Sequence, residues 1–349
     1  MEQNQSEILG FLLKELPTHP NDIIPVLTGR FNFSRQRAHF YISREIKKGT
    51  IIRVGNTRAA RYFSISSGKI QFRLHLAKIS SEDRVWTEYI KPMLFECTEN
   101  VRRIANYGFT EMLNNIIDHS EGSEVWLELE IKDGTLFITL MDNGVGIFKK
   151  IQNALHLKSE RESILHLSKG RFTTDPSKHS GQGIFFTSRM FKKFALLSDD
   201  LYYTFGEGEW FVSNEKPESF GKGTYVAMQL PLDVNYMPND TLKQYSDIEL
   251  GFYKTNVAVA LSSDPGDPHN SRSQAKRLLM GLEKFKSVTL DFKGVDEVGQ
   301  AFVDEVFRVF KNEYPDTVIQ YVNANSKVQA TIKRGLADAE EGQISPIQF

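Results

Sequence analysis

Hydrophobic and polar positions follow three successive patterns along this chain. Near the start, apolar residues recur at helical spacing in SEILGFLLKEL, PNDIIPVLTGRF and SRQRAHFYISREIKKG, with Ser34 placed to cap the third helix and Gly49 to stop it. TIIRVGNTRAARYFSI then alternates about Gly55 and Asn56, as a hairpin does. Residues 99–119 predict a further helix through Ile104, Phe109, Leu113, Ile116 and Ile117. EVWLELEI and TLFITLMD predict two strands turned at Lys132, Asp133 and Gly134. After about Asp233 strand and helix alternate through KTNVAVALS, SRSQAKRLLMGLEKF, SVTLDFKGV, GQAFVDEVFRVFKNE, TVIQYVN and SKVQATIKRGL, which argues for a parallel sheet. Phe302, Val303, Val306, Phe307 and Phe310 mark the buried stripe of one of those helices.

A chain of 349 residues has room for two or three domains and more than one sizeable core. Its 43 basic and 44 acidic side chains cancel, so the overall charge points to no partner. The local distribution does. Between Arg30 and Arg61 nine basic residues stand against one acidic residue, Glu45. The single cysteine, Cys97, excludes an intrachain disulfide and reads as a small core residue. MEQNQSEILG has no basic start, and no apolar run reaches spanning length, so no membrane partner is expected and the cytoplasm is the expected compartment.

Candidate chemistry is concentrated in the middle of the chain. On a helix, the four-residue spacing of Glu111 and Asn115 puts both heads on one face. An amide oxygen together with phosphate oxygens and water suits Mg²⁺, and a neighbouring carboxylate is then free to take a proton from attacking water. Taken alone, E-x-x-x-N is equally a solvated polar face. The second predicted strand delivers Asp142 to DNGVGI, where a carboxylate can accept the exocyclic amino proton of adenine and Gly144 and Gly146 clear side chains from the backbone. SGQGIFF follows, with Gly181 and Gly183 opening an apolar helix whose free amides favour phosphate. The stretch of about thirty residues between the two glycine motifs reads as a lid. Within it SERE predicts a capping box, Gly170 ends a short helix, and Lys169, Arg171 and Lys178 are candidates to meet phosphate charge.

In this order the strings resemble the GHKL ATPases, the family of gyrase, Hsp90 and histidine kinases, over roughly residues 66–234. Glu111 and Asn115 match its N box, DNGVGI its first glycine box and SGQGIFF its second. GKGTYVAMQLP resembles the closing strand, in which Thr224 would support Asp142 through a hydroxyl or a water. The resemblance implies an α/β sandwich with a mixed sheet, binding ATP and Mg²⁺.

The front of the chain resembles a winged helix-turn-helix domain over residues 1–65, the third helix being its recognition helix. That implies a double-stranded DNA partner, with Arg35, Gln36, Arg37 and His39 toward the major groove and Lys47, Lys48, Arg53, Arg58 and Arg61 available to phosphates. A protein-contact module is the alternative use of such a domain. LDFKGVDEVGQAFVDEVF resembles the STAS domain of anti-anti-sigma factors, the likeness covering roughly residues 245–336 of a final α/β domain taken as 245–349. Asp296, Glu297, Val298, Gly299 and Gln300 hold no hydroxyl where that family carries its phosphorylated serine.

The α/β multidomain chain is therefore expected to be an ATP-binding regulator with slow hydrolysis. Closure over nucleotide would be sensed by the STAS-like domain, by a second copy in a homodimer or by a regulatory protein partner, and would change DNA engagement. The alternative is an anti-sigma-type protein serine/threonine kinase, with a partner hydroxyl in place of water. A histidine-kinase reading is weaker, since none of His39, His119, His166 and His179 precedes the ATP region on a dimerisation hairpin.

Overall fold

The computed structural model describes residues 2–16, 18–54, 60–64, 69–171, 181–206, 209–213, 221–247, 249, 251–263 and 268–337. Gly55, Asn56, Arg58, Lys178 and residues 338–349 lie outside the described residues.

Helices α1 (Glu2–Glu15), α2 (Ile23–Phe31) and α3 (Arg35–Lys47) precede the antiparallel pair β1 (Ile51–Val54) and β2 (Arg61–Ser64). Ser34 caps α3 by accepting from the Arg37 amide at 3.2 Å, and Gly49 follows the helix with φ 74°. These elements close a core of their own around Leu12, Ile23, Leu27, Ala38, Ile42 and Ile51. They touch the rest of the chain through Ile52 and where the Phe95 ring lies over Gly49.

Strand β3 (Lys69–His75) and the short helix α4 (Glu82–Val85) lead to α5 (Glu99–His119), capped by Thr98. Helix α5 buries Ile104, Phe109, Met112, Leu113 and Ile116, each burial contributing about 1.5–3 kcal/mol for a large side chain. β4 (Glu124–Lys132) and β5 (Thr135–Asp142) form the predicted hairpin, with Asp133 and Gly134 both at positive φ as a primed turn demands. Then come α6 (Ile147–Leu155), α7 (Glu160–Lys169), α8 (Gly183–Met190), β6 (Lys193–Ser198), β7 (Leu201–Gly206), β8 (Glu209–Ser213) and β9 (Thr224–Pro231). The seven strands run in the order β3-β4-β5-β9-β6-β7-β8, each pair antiparallel. The expected mixed sheet thus has no parallel neighbours. β5 and β6 do point the same way, but β9 is inserted between them and pairs antiparallel to both.

Helix α9 (Pro238–Tyr245) and the small pair β10 (Ser246–Asp247) and β11 (Gly251–Phe252) lead to the parallel sheet β12-β13-β14 (Lys254–Ala258, Ser287–Asp291, Val318–Val322). Helix α10 (Arg272–Leu279) and α13 (Ser326–Ala337) flank it, as does α11 (Gln300–Asp304), which passes through a π turn into α12 (Phe310–Glu313). One continuous apolar cluster joins this unit to the seven-stranded one. Rings link them directly: Phe185 of α8 lies 4.8 Å from Phe252, and Phe252 lies 5.2 Å from Phe285. No helix among the described residues is long and apolar enough to cross a membrane.

Candidate functional site

A cavity of about 340 Å³ opens between α5, α6, α7 and α8 and the ends of β5 and β9. Its lining includes Glu111, Asn115, Asp142, Gly146, Gly181, Gly183 and Thr224, residues from four separate parts of the sequence. The two-residue period of the strands explains two of them. Leu136, Ile138, Leu140 and Asp142 share the inward phase of β5, and Thr224, Val226, Met228 and Leu230 that of β9. Met141 pairs with Tyr225, so Asp142 and Thr224 arrive side by side at the cavity floor.

Asp142 is 1 % exposed. Burial pushes its carboxyl above the usual range, an effect opposed by hydrogen bonds from the Gly144 amide and from the Thr224 backbone and hydroxyl. Thr224 also accepts from the Ile147 amide at 3.0 Å, tying the start of α6 to the same corner. Gly144 does not line the cavity. Its amide donates to Asp142 Oδ1 at 2.7 Å, and a Cβ there would collide with the Ser120 carbonyl, so this glycine serves the close approach of two backbones. Gly146, at φ 86°, faces Ser198 Oγ with no space for a side chain. Asn143 turns away, its Oδ1 accepting from the Ser123 and Glu124 amides.

At the other end Glu111 meets the first residue of α8. A Cβ on Gly183 would collide with Glu111 Oε2, and no side chain caps that helix start. Asn115 lies one turn beyond Glu111 on α5, and His119 one turn further on the same face. His119 lines the cavity beside Asn114. The i, i+4, i+8 spacing of 111, 115 and 119 was the signal for it. Lys150 on α6 is a further cavity residue that the motifs did not name; its ammonium lies 2.8 Å from Glu121.

Among the described residues, the connection between the glycine motifs consists mainly of α6 and α7. Ser159 makes no side-chain cap, so the expected capping box does not form, but Gly170 does end α7, at φ 75°. Leu167 lines the cavity, while Ser163, Ile164, Leu165 and Lys169 are buried. Lys169 and Arg171 do not turn toward the cavity. The Lys169 ammonium donates to the carbonyls of Arg277 and Met280 at 3.1 and 2.9 Å, and the Thr255 hydroxyl donates to the Lys169 carbonyl at 2.7 Å. Arg171 donates to the Lys284 carbonyl and lies over the Phe252 and Phe285 rings. Burial draws Lys169 down to about 7 and, with the Lys169 and Lys284 charges adding to it, His166 down to about 3. The root of the expected lid is therefore fixed to the unit that follows.

On α3, Arg35, Gln36, Arg37, His39 and Lys47 are exposed, as are Lys48 and Arg53, and Arg61 is half-buried. Among the described residues, two of these have side-chain partners within the chain. Arg37 lies over the Phe33 ring at 4.6 Å, and Lys48 donates to the buried Glu45 at 3.1 Å. Burial opposes ionisation of Glu45, but hydrogen bonds from Lys48, Thr50 and Arg44 outweigh it and hold its carboxyl below the usual range. The lone acid of this basic segment is thereby covered.

Residues 102–234 match the family model of histidine kinase-, DNA gyrase B- and HSP90-like ATPases, and residues 274–329 match that of a STAS-like domain of unknown function. No curated protein matches the chain.

Proposed function

We propose that this chain, an ATPase domain of the histidine kinase, gyrase B and HSP90 type joined to a STAS-like domain, is a nucleotide-switched regulator of DNA binding. The convergence of Glu111, Asn115, Asp142, Thr224, Gly181 and Gly183 on one cavity carries the reading. Asp142, steadied by Gly144 and Thr224, accepts from the adenine amino group. The uncapped start of α8 offers amides to phosphate, and Gly183 leaves room for Glu111 beside them. Asn115 and phosphate oxygens suit magnesium, which when bound offsets charge at the transferring phosphate. Glu111 takes the proton of the attacking water.

Coupling runs through α7. Leu167 faces the nucleotide cavity, and Lys169, two residues later, is held by α10 of the STAS-like domain. A shift of α7 on nucleotide binding is felt there, which gives the two states of a switch different contacts. The basic face of residues 30–61, with its one acid covered, supports duplex DNA as the output partner. Transfer to a partner hydroxyl would use the same carboxylate, and labelled ATP separates the two: phosphate is released, or protein is marked.

The deciding experiment measures binding of full-length protein to duplex DNA without nucleotide, with ATP and Mg²⁺, and with ADP, at low and moderate salt. Salt-sensitive binding that shifts with nucleotide is expected. Failure to bind any adenine nucleotide, or identical DNA affinity in all three states, overturns the reading.

A further inference from the structure

The described residue with the most exposed large apolar side chain is Phe40, at 63 %. It lies on α3, whose inner face is Ala38, Tyr41, Ile42 and Glu45. Opposite that face, at helical spacing, runs the row Gln36, Phe40, Ser43 and Lys47, all exposed. Arg35 and His39 stand on one flank of the row and Arg37 and Arg44 on the other. Both arginines of that second flank are committed, Arg37 over Phe33 and Arg44 to Glu45. An element laid in a groove reads base edges with the row farthest from its own core, so the deepest side chains here are Gln36, Phe40 and Lys47, with an aromatic ring at the centre.

We infer that α3 reads the 5-methyl group of a thymine through Phe40, one turn from Gln36, whose amide suits the N6 and N7 edge of adenine. The inference rests on the DNA-binding reading above and gives it a sequence preference, for A·T steps under the middle of the helix. A ring in solvent gains by covering a methyl group, and among base edges in the major groove only thymine presents one. The charge around Phe40 selects this occupant over a second copy of the chain. Pairing the same face of two copies would bring Arg35, Arg37 and Lys47 against themselves. A phosphate backbone on either side of the ring is instead neutralised by them.

The test uses full-length wild-type protein to select duplexes from a random pool. The selected duplex is then made with uracil in place of thymine at each position in turn, which removes only the methyl group. At one position wild-type affinity should fall roughly fourfold, the worth of one buried methyl. Phe40→Ala should bind the thymine and uracil duplexes equally, with the salt dependence of wild type. Equal wild-type binding to thymine and uracil everywhere, or discrimination retained in Phe40→Ala, overturns the inference while leaving DNA binding intact. A Phe40→Ala protein that changes oligomeric state and keeps its thymine preference marks the ring as a protein contact and overturns it as well. If no duplex is retained even at low salt, the DNA-binding reading itself fails and takes this inference with it.

Discussion

Gly183 and Glu111 adjoin so closely that a Cβ on the glycine would overlap the carboxylate oxygen Oε2. The first turn of α8 and the proposed base therefore share one space, and their positions are set together. Gly183→Ala is expected to displace Glu111 and lower ATP turnover by on the order of a hundredfold, as ångström-scale misplacement of a catalytic group does. Glu111→Ala should lower it by roughly 10²–10⁴ while nucleotide affinity stays within a few-fold. Steady-state hydrolysis beside equilibrium nucleotide binding checks both. Unchanged turnover in Glu111→Ala would remove Glu111 from the chemistry, and in Gly183→Ala it would show that the carboxylate yields to a methyl without loss of position.

Asp142 and Thr224 line the opposite end of the cavity, where adenine is proposed to sit. Asp142→Asn keeps the shape but presents a donor where adenine also donates, and should weaken ATP binding about 10- to 100-fold. Thr224→Val, which removes one of several supports of the carboxylate, should cost less. Calorimetric titration with ATP ranks the two, and equal affinity in Asp142→Asn would refute the adenine contact.

Lys169 titrates near 7 in the folded chain, against an ordinary 10.5. Between those values the unfolded chain binds the additional proton, so stability should rise with pH across this window. Below it the burial penalty is fully present, and above it is gone. Lys169→Met should flatten the rise seen by thermal unfolding between neutral and alkaline pH. A slope unchanged by the substitution would mean that the ammonium is not buried in solution.

Lys47 and Lys48 are adjacent in sequence and differ in commitment. Lys47→Ala or Arg53→Ala should each reduce the slope of log affinity for duplex DNA against log salt by about one. Lys48→Ala should change that slope less and lower thermal stability instead, by at most about 1 kcal/mol for so exposed a partner of Glu45. Equal loss of slope at 47 and 48 would contradict the ion pair seen here.

The parts of the site that sequence announces are those set by local periodicity. Glu111 and Asn115 follow from helical spacing, and Asp142 from the inward phase of β5. The direction of Lys169 and Arg171 was not legible, because their acceptors, Arg277, Met280 and Lys284, lie more than a hundred positions away. Charge near a glycine motif suggested phosphate, whereas burial against another unit decided otherwise. Gly144 was legible as a glycine but not in its reason, since the Ser120 carbonyl that excludes a side chain there comes from the end of another helix. The sheet followed the same rule: its β4–β5 hairpin was readable, but the insertion of β9 between β5 and β6 is a long-range pairing that no local pattern encodes.

The uneven partition of the interior also bears on how such a chain can change over generations. Residues 8–62 bury apolar side chains among themselves, so recombination could exchange this front module without retuning the pocket behind it. The other two units share a single interior, and neither can be traded without its neighbour. Novelty is free to enter at the amino end, while the two units behind it must be inherited as one piece.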